Sequence, residues 1–412
     1  MALRFHRVEG SLKKRYDGRN TLYFLPMPST DFSKRALLAH KALRGKIEIV
    51  PKVRVRRATD LSLYYSPGVG AVSSFLAQNP EQSKTYTMRG NTVAIVSDGS
   101  AVLGLGNIGP IAALPVMEGK AMLFKRFANI DAFPIVLSTQ NVGEIVETVV
   151  RIAPGFGGVN LEDIAAPRCF EVEAELRKRL PIPVFHDDQH GTAMVVLAGL
   201  LNALRIAKKK LDAVRIVIAG AGAAGQAIEE LLLRAGAKYM IMTDSKGILS
   251  KDRSDLNGFK RKLLETTNPE NIRGTLGEAM ADADIFIGVS KGGTVTPPLI
   301  RRMRPDPIVF ALANPIPEIM PNEAKKAGAL VVATGRSDFP NQINNCLGFP
   351  GIFRGALDHG VRDVTDSMLV GAAIKLSKLI PSLRPDNIIP SAFDERVVKA
   401  VASAIREPRK ST

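Results

Sequence analysis

The chain has 412 residues, 45% of them hydrophobic and 23% charged, which suits two or three globular domains and excludes a wholly disordered chain. Fifty-six Lys and Arg against 40 Asp and Glu leave a formal charge of +16, a balance that invites nucleic acid or an anionic membrane as partner. The excess is uneven: residues 1–60 hold 15 basic and 5 acidic residues, so +10 lies there and only +6 on the other 352. A basic arm on a nearly balanced body is the better description. No basic motif interleaved with aromatics accompanies the charge, so it argues for neither a nucleic-acid nor a membrane partner.

Two cysteines, Cys169 and Cys346, cannot form a disulfide framework or a four-thiolate zinc site, and they point to a reducing, cytoplasmic compartment. The start, MALRFHRVEG, lacks the apolar core of a secretory signal; being Arg-rich and acid-poor, it leaves an organellar transit peptide open. The longest uncharged apolar stretch, 99–117, contains four Gly and two Pro and makes a poor spanning helix.

In chain order, residues 1–33 read as the basic arm. The spacing of Leu37, Leu38 and Ala42 predicts a helix over 32–43, and IEIVPKVRV is strand-like but broken by Pro51. Short β-branched runs follow: TVAIVSD (92–98), RIVIAG (215–220), YMIMTD (239–244), IFIGVS (285–290), PIVFALAN (307–314) and ALVVATG (329–335). Helix-like segments such as 225–236 and 322–328 lie between them. This alternation predicts an α/β chain with parallel sheets and helices on both faces. An apolar helix over 191–207 joins a first domain (34–190) to a nucleotide domain (191–350), and helical patterning over 351–412 packs back on the first domain.

G-x-G-x-x-G occurs twice. Gly104-Leu-Gly106-Asn-Ile-Gly109 is followed by Pro110 and Pro115 and reads as a glycine-rich turn. Gly220-Ala-Gly222-Ala223-Ala224-Gly225 has the full dinucleotide context of strand, tight turn and helix. The next strand ends at Asp244, 19 residues after Gly225, where an acidic side chain can accept from adenosine ribose hydroxyls. Asp244 favours NAD, whereas Ser245 and Lys246 beside it suit the 2′-phosphate of NADP, so both cofactors stay open.

Two carboxylate-dense spots stand out, Glu162-Asp163 and Asp187-Asp188. Converging carboxylates need a cation or protons, and an all-oxygen set suits Mg²⁺ or Mn²⁺ better than zinc. Helix capping is the competing role for Asp188, and His186 and His190 are alternative zinc ligands.

These pieces, in this order, resemble the malic enzymes of the short bacterial and archaeal type, from about residue 37 to 376. The likeness rests on DLSLYYSPGVG (60–70), SDGSAVLGLGNIGPIAALPVMEGKAMLFK (97–125), NLEDIAAPRCFEVE (160–173), PVFHDDQHGTAMVVLAGLLNAL (183–204), IVIAGAGAAGQAI (216–228), ALANPIPE (311–318) and GRSDFPNQINNCLGFPGIFRGALD (335–358). It implies an N-terminal substrate and metal domain, a Rossmann-type NAD(P)-binding domain and usually a homodimer. It also implies oxidative decarboxylation of L-malate to pyruvate and CO₂ with reduction of NAD(P)⁺. By motif, Tyr65 is the implied general acid and Lys120 the general base or its close partner, with Asp187 hydrogen-bonded within the catalytic set. Glu162, Asp163 and Asp188 hold the metal, and Asn314 and Asn345 contact substrate or nicotinamide. Long-form relatives carry a carboxylate-binding Arg within the segment matching 99–103, where this chain reads GSAVL.

Overall fold

The computed structural model describes residues 14–16, 22–24 and 32–407. Contacts divide the chain into two compact units, Met1–Val50 and Pro51–Thr412. In the smaller unit β1 (Lys14–Tyr16) pairs antiparallel with β2 (Leu22–Phe24), and α1 spans Phe32–Leu43, matching the predicted helix. Phe32 and Ser33 of the predicted 1–33 arm open α1, and its residues before 32 other than β1 and β2 lie outside the described residues. Residues 47–55 form no strand: Pro51 has no N–H for a ladder, and the run is too short on either side of it.

The larger unit opens with two exposed helices, α2 (Ala58–Tyr64) and α3 (Gly68–Gln78). A four-stranded parallel sheet follows, built from β3 (Thr92–Ser97), β4 (Asp131–Val136), β5 (Gly158–Leu161) and β6 (Val184–His186) in the order β4-β3-β5-β6. Every residue of β3 is buried, as expected for a central parallel strand covered on both faces. The crossovers are α4 (Pro110–Ala128), α5 (Val142–Ile152) and α6 (Arg168–Arg179).

A single π-helical turn, Asp187–Gly191, leads into α7 (Thr192–Ala207). Counted from Asp187, this segment is long and apolar enough to cross a membrane by composition, but it is mostly buried inside the protein. Its Asn202 amide donates to the carbonyls of Ser377 (2.8 Å) and Ile388 (2.9 Å), which marks it as a core helix. The second sheet contains β7 (Arg215–Ala219), β8 (Tyr239–Asp244), β9 (Gly247–Ile248), β10 (Ile285–Gly288), β11 (Ile308–Ala311) and β12 (Val331–Thr334). Its order is β12-β11-β10-β7-β8-β9, parallel except for the β8–β9 pair. Chain direction across the sheet reverses between β7 and β10, the switch point at whose carboxyl ends such sheets open a crevice. Helix α8 (Ala223–Arg234) connects β7 to β8.

The chain then returns through α9 (Phe349–His359), α10 (Asp366–Ser377) and α11 (Arg396–Ala402). Phe349 and Phe353 of α9 pack on Phe124 of α4 with ring centroids 4.6 and 5.4 Å apart, and Phe353 also meets Phe185 of β6 at 6.0 Å. Burying each such ring contributes on the order of 2–3 kcal/mol. The C-terminal helices therefore do pack back on the first sheet, and through Phe349 they reach the catalytic candidates.

Candidate active site and cofactor cleft

Of the sequence candidates, Lys120, Glu162, Asp163, Asp187 and Asp188 come together where β5 and β6 end. Lys120 projects from α4 and is 7% exposed. Its ammonium donates to Asp187 Oδ2, pairs with Glu162 Oε1 at 2.7 Å, and lies 4.3 Å from the centre of the Phe349 ring. Burial alone would lower the Lys120 pKa; the negative charges of Asp187, Glu162 and Asp188 outweigh it and keep the group protonated. Asp187 is fully buried at the start of the π turn, with its Oδ1 unpartnered. A Cβ on Gly191 would collide with that oxygen and would lie 3.6 Å from Asn345 Cβ. The glycine of HDDQHG therefore makes room for Asp187, and Asn345 walls the same spot.

Glu162, Asp163 and Asp188 each offer a carboxylate oxygen, and these oxygens lie within 4.8 Å of one another. Asp188 does not cap α7; its Oδ2 accepts the backbone N–H of Asp163 at 2.8 Å, which draws the two spots together. Glu162 is held by the Asn160 amide at 2.9 Å. Burial, then the charge of Asp188, pushes Glu162 up to about 7 and Asp163 up to about 9. Asp163 Oδ2 is buried without a partner. An orphaned buried oxygen among three crowded carboxylates is a donor set for a hard divalent cation, and it fits Mg²⁺ or Mn²⁺.

Neither histidine joins this set, although His186 Nε2 lies 3.9 Å from Asp188 Oδ2. His190 Nε2 pairs with Glu173 at 2.9 Å, while Glu173 also accepts the backbone N–H of His186 at 3.1 Å and the Gln189 amide at 3.4 Å. Glu173 thus ties α6 beneath the Asp187–Asp188 turn. In sequence it is one of three Glu in a charged helix, with Glu171 and Glu175, and nothing there singles it out.

Tyr65, at the C-cap of α2, is 69% exposed, in contrast to buried Lys120. The first glycine motif forms a turn against the carboxylates: the Ala101 N–H donates to the Asp163 carbonyl at 2.9 Å, and a Cβ on Gly104 would collide with the Asn314 carbonyl. Asn314 therefore sits between that turn and Gly335, whose Cβ would lie 2.8 Å from the Asn314 amide nitrogen.

The second motif opens a cleft of about 750 Å³ lined by Gly220, Gly222, Asp244, Ser245 and Lys246. Its three glycines have separable causes. Gly220 has φ +124°, and a Cβ there would lie 2.7 Å from the Val289 carbonyl. A Cβ on Gly225 would strike the Gly220 carbonyl, whereas one on Gly222 meets nothing within 4 Å. The turn, the close helix–strand approach and an open cradle before the N-terminus of α8, at Ala223 and Ala224, are the features a pyrophosphate needs.

Known proteins resemble this chain over most of its length. Residues 44–177 match the family model of the malic enzyme N-terminal domain and residues 189–408 that of the malic enzyme NAD-binding domain. A Bacillus subtilis bifunctional malic/malolactic enzyme is 52% identical over 92% of this chain and 93% of its own length. A Geobacillus stearothermophilus NAD-dependent malic enzyme is 52% identical over 91% of this chain and 78% of its own. The crystal structure of a Thermotoga maritima NAD-dependent malic enzyme superposes with a TM-score of 0.87 at 49% identity, covering 90% of this chain and 98% of that one. With both domain models matched and half its residues shared with these proteins, the chain belongs to the malic enzyme family.

Proposed function

We propose that Lys120, Asp187, the three carboxylates and the glycine-lined cleft act together in the oxidative decarboxylation of L-malate to pyruvate and CO₂, with NAD⁺ or NADP⁺ reduced. The observation that carries this is the buried ammonium of Lys120 between Asp187 and Glu162, beside a three-carboxylate set. Glu162, Asp163 and Asp188 would hold Mg²⁺ or Mn²⁺, which supplies Lewis acidity and offsets the negative charge that keeps Lys120 protonated. Lys120 Nζ then accepts the C2 hydroxyl proton, oriented by Asp187. Tyr65 returns a proton to C3 after CO₂ departs, and Asn314 and Asn345 hold the substrate between them. Gly220, Gly222, Ala223, Ala224 and Gly225 cradle the pyrophosphate.

We also propose a homodimer. Leu61, Leu63, Tyr64, Val69 and Phe75 on α2 and α3 are exposed, a concentration of apolar side chains that a second copy would cover. The unpaired cysteines support a reducing, cytoplasmic setting. We divide the chain into an arm (1–33), a substrate and metal domain (34–190), a cofactor domain (191–350) and a C-terminal helical segment (351–412).

The test is absorbance at the nicotinamide band with L-malate, Mg²⁺ or Mn²⁺, and each cofactor. Steady NAD(P)H release, abolished by chelator and restored by metal, is expected. The bifunctional name of the B. subtilis relative favours one second reading, a malolactic activity that retains the cofactor; lactate without net reduction would establish it in place of the first. Sedimentation checks the dimer.

A further inference from the structure

The ribose end of the cleft departs from the role its spacing suggests for Asp244. An ionised carboxylate has about four lone-pair positions. Four donors already occupy those of Asp244. Oδ1 accepts the backbone N–H of Lys246 (2.9 Å) and Arg253 Nη1 (2.8 Å); Oδ2 accepts Arg253 Nη2 (3.1 Å) and Lys260 Nζ (2.6 Å). Arg253 continues to Asp255, with Nε 3.0 Å from Oδ1 and Nη2 2.8 Å from Oδ2, and Lys246 Nζ reaches Asp255 Oδ2 at 2.9 Å. Two carboxylates therefore face three cations. Lys246, Lys260 and Lys291 line the cleft, against Asp244 as its one acidic lining residue. Arg253, 15% exposed, grips Asp244 and Asp255 together, while the Lys260 side chain is 29% exposed and Lys246 lies mostly in solvent.

We propose that this end of the cleft is built for a 2′-phosphorylated adenosine ribose, so that the chain takes NADP⁺ at least as well as NAD⁺. Lys260, Lys246 and Ser245 are the groups that read the phosphate, and Asp244 and Arg253 are positioning residues that present Lys260. This rests on the NAD(P) reading of the cleft and goes beyond it by assigning the cofactor. A ribose hydroxyl approaching Asp244 must displace a charge-assisted bond to use its oxygen. A phosphate instead meets Lys260 and Lys246, whose ammonium groups each carry three N–H donors and can serve it without leaving Asp244 or Asp255. Asp244 itself stays ionised, because the bonds from Arg253 and Lys260 outweigh its burial and hold its carboxyl at about 2. It remains an anchor across the working pH range.

Calorimetric titration of the full chain with 5′-AMP and 2′,5′-ADP, which differ only in the 2′-phosphate, tests this without turnover. The expected result is 2′,5′-ADP binding as tightly as 5′-AMP or tighter. Lys260→Met should lower the ratio of the two affinities by about tenfold, the size of one lost charge-assisted contact. Lys246→Met, on an exposed side chain, should move the same ratio in the same direction and guards against misfolding of the first variant. Wild-type protein that binds 5′-AMP tenfold tighter than 2′,5′-ADP overturns the proposal while leaving the cofactor cleft in place. Binding of neither nucleotide overturns the cleft reading and the proposal with it.

Discussion

Glu173→Gln isolates one buried charge beneath the catalytic turn. Burial alone would raise the Glu173 carboxyl; the charge and hydrogen bond of His190, then the charge and N–H of His186, lower it from 4.5 to about 2. At 1.36 kcal/mol per unit, that drop is worth roughly 3 kcal/mol at neutral pH. Because the folded value is depressed, the contribution is fully present above the unfolded value near 4.5 and is lost as pH falls through about 2. His190 reports the same pair from its other end. Burial lowers its pKa, but Glu173 raises it more, so its contribution is present below the unfolded value and lost as pH rises through the raised one. The two describe one interaction and are not summed. If roughly 360 residues of the larger unit melt together, about 3 kcal/mol corresponds to a fall of about 4 °C at pH 7. Scanning calorimetry of both proteins should find the gap reduced to less than half by pH 3, on the order of 1 kcal/mol from linkage. A gap that stays constant from pH 7 to pH 3 would refute the charge argument and leave only a packing effect.

Three further outcomes are expected. Lys120→Ala should lower kcat by about 10²–10⁴-fold, with nucleotide binding by calorimetry retained; near-normal turnover would remove Lys120 from the chemistry. Asp163→Asn should raise the Mn²⁺ concentration needed for half-maximal activity and leave Kd for the nucleotide within about twofold; an unchanged metal titration would dismiss the three-carboxylate site. The glycine pair Gly222→Ala and Gly225→Ala should separate binding from folding. The first meets open space and should hold stability within about 0.5 kcal/mol while weakening nucleotide binding. The second strikes the Gly220 carbonyl and should cost about 1–3 kcal/mol as well. Equal melting curves for the two variants would contradict the distinct roles assigned to these glycines.

The second sheet was largely legible because its strands are continuous β-branched runs: β7, β8, β10, β11 and β12 each lie inside a run marked from sequence. In the first sheet only β3 was. β4 carries Pro134, β5 (GVNL) has a single β-branched residue, and β6 spans only three residues, so none of them reads as a continuous apolar run. The carboxylates were visible as rare acids in a basic chain, and Lys120 through its motif. Their supports were not: Phe349 reaches Lys120 from more than 200 positions away in sequence, and Glu173 reaches His190 only because α6 lies beneath the π turn. Such contacts are set by tertiary packing, on which local pattern carries no information.

Asp244 shows how a spacing rule and a structure answer different questions. Nineteen residues after Gly225, at the end of β8, it occupies the place from which a carboxylate reads a ribose hydroxyl. That rule assumes free lone pairs. Here Arg253, nine residues on, and Lys260, sixteen residues on, come back to the same carboxylate, the lysine from a short helix capped by Asn257. The acid at the diagnostic position thereby becomes the anchor for cations, and the charge offered to the cofactor changes sign without any change at Asp244 itself. On the proposal made above, cofactor preference belongs to the 244–260 segment as a unit. Substituting Asp244 alone, with Arg253 and Lys260 left in place, perturbs the cations it anchors as much as any hydrogen bond to the ribose.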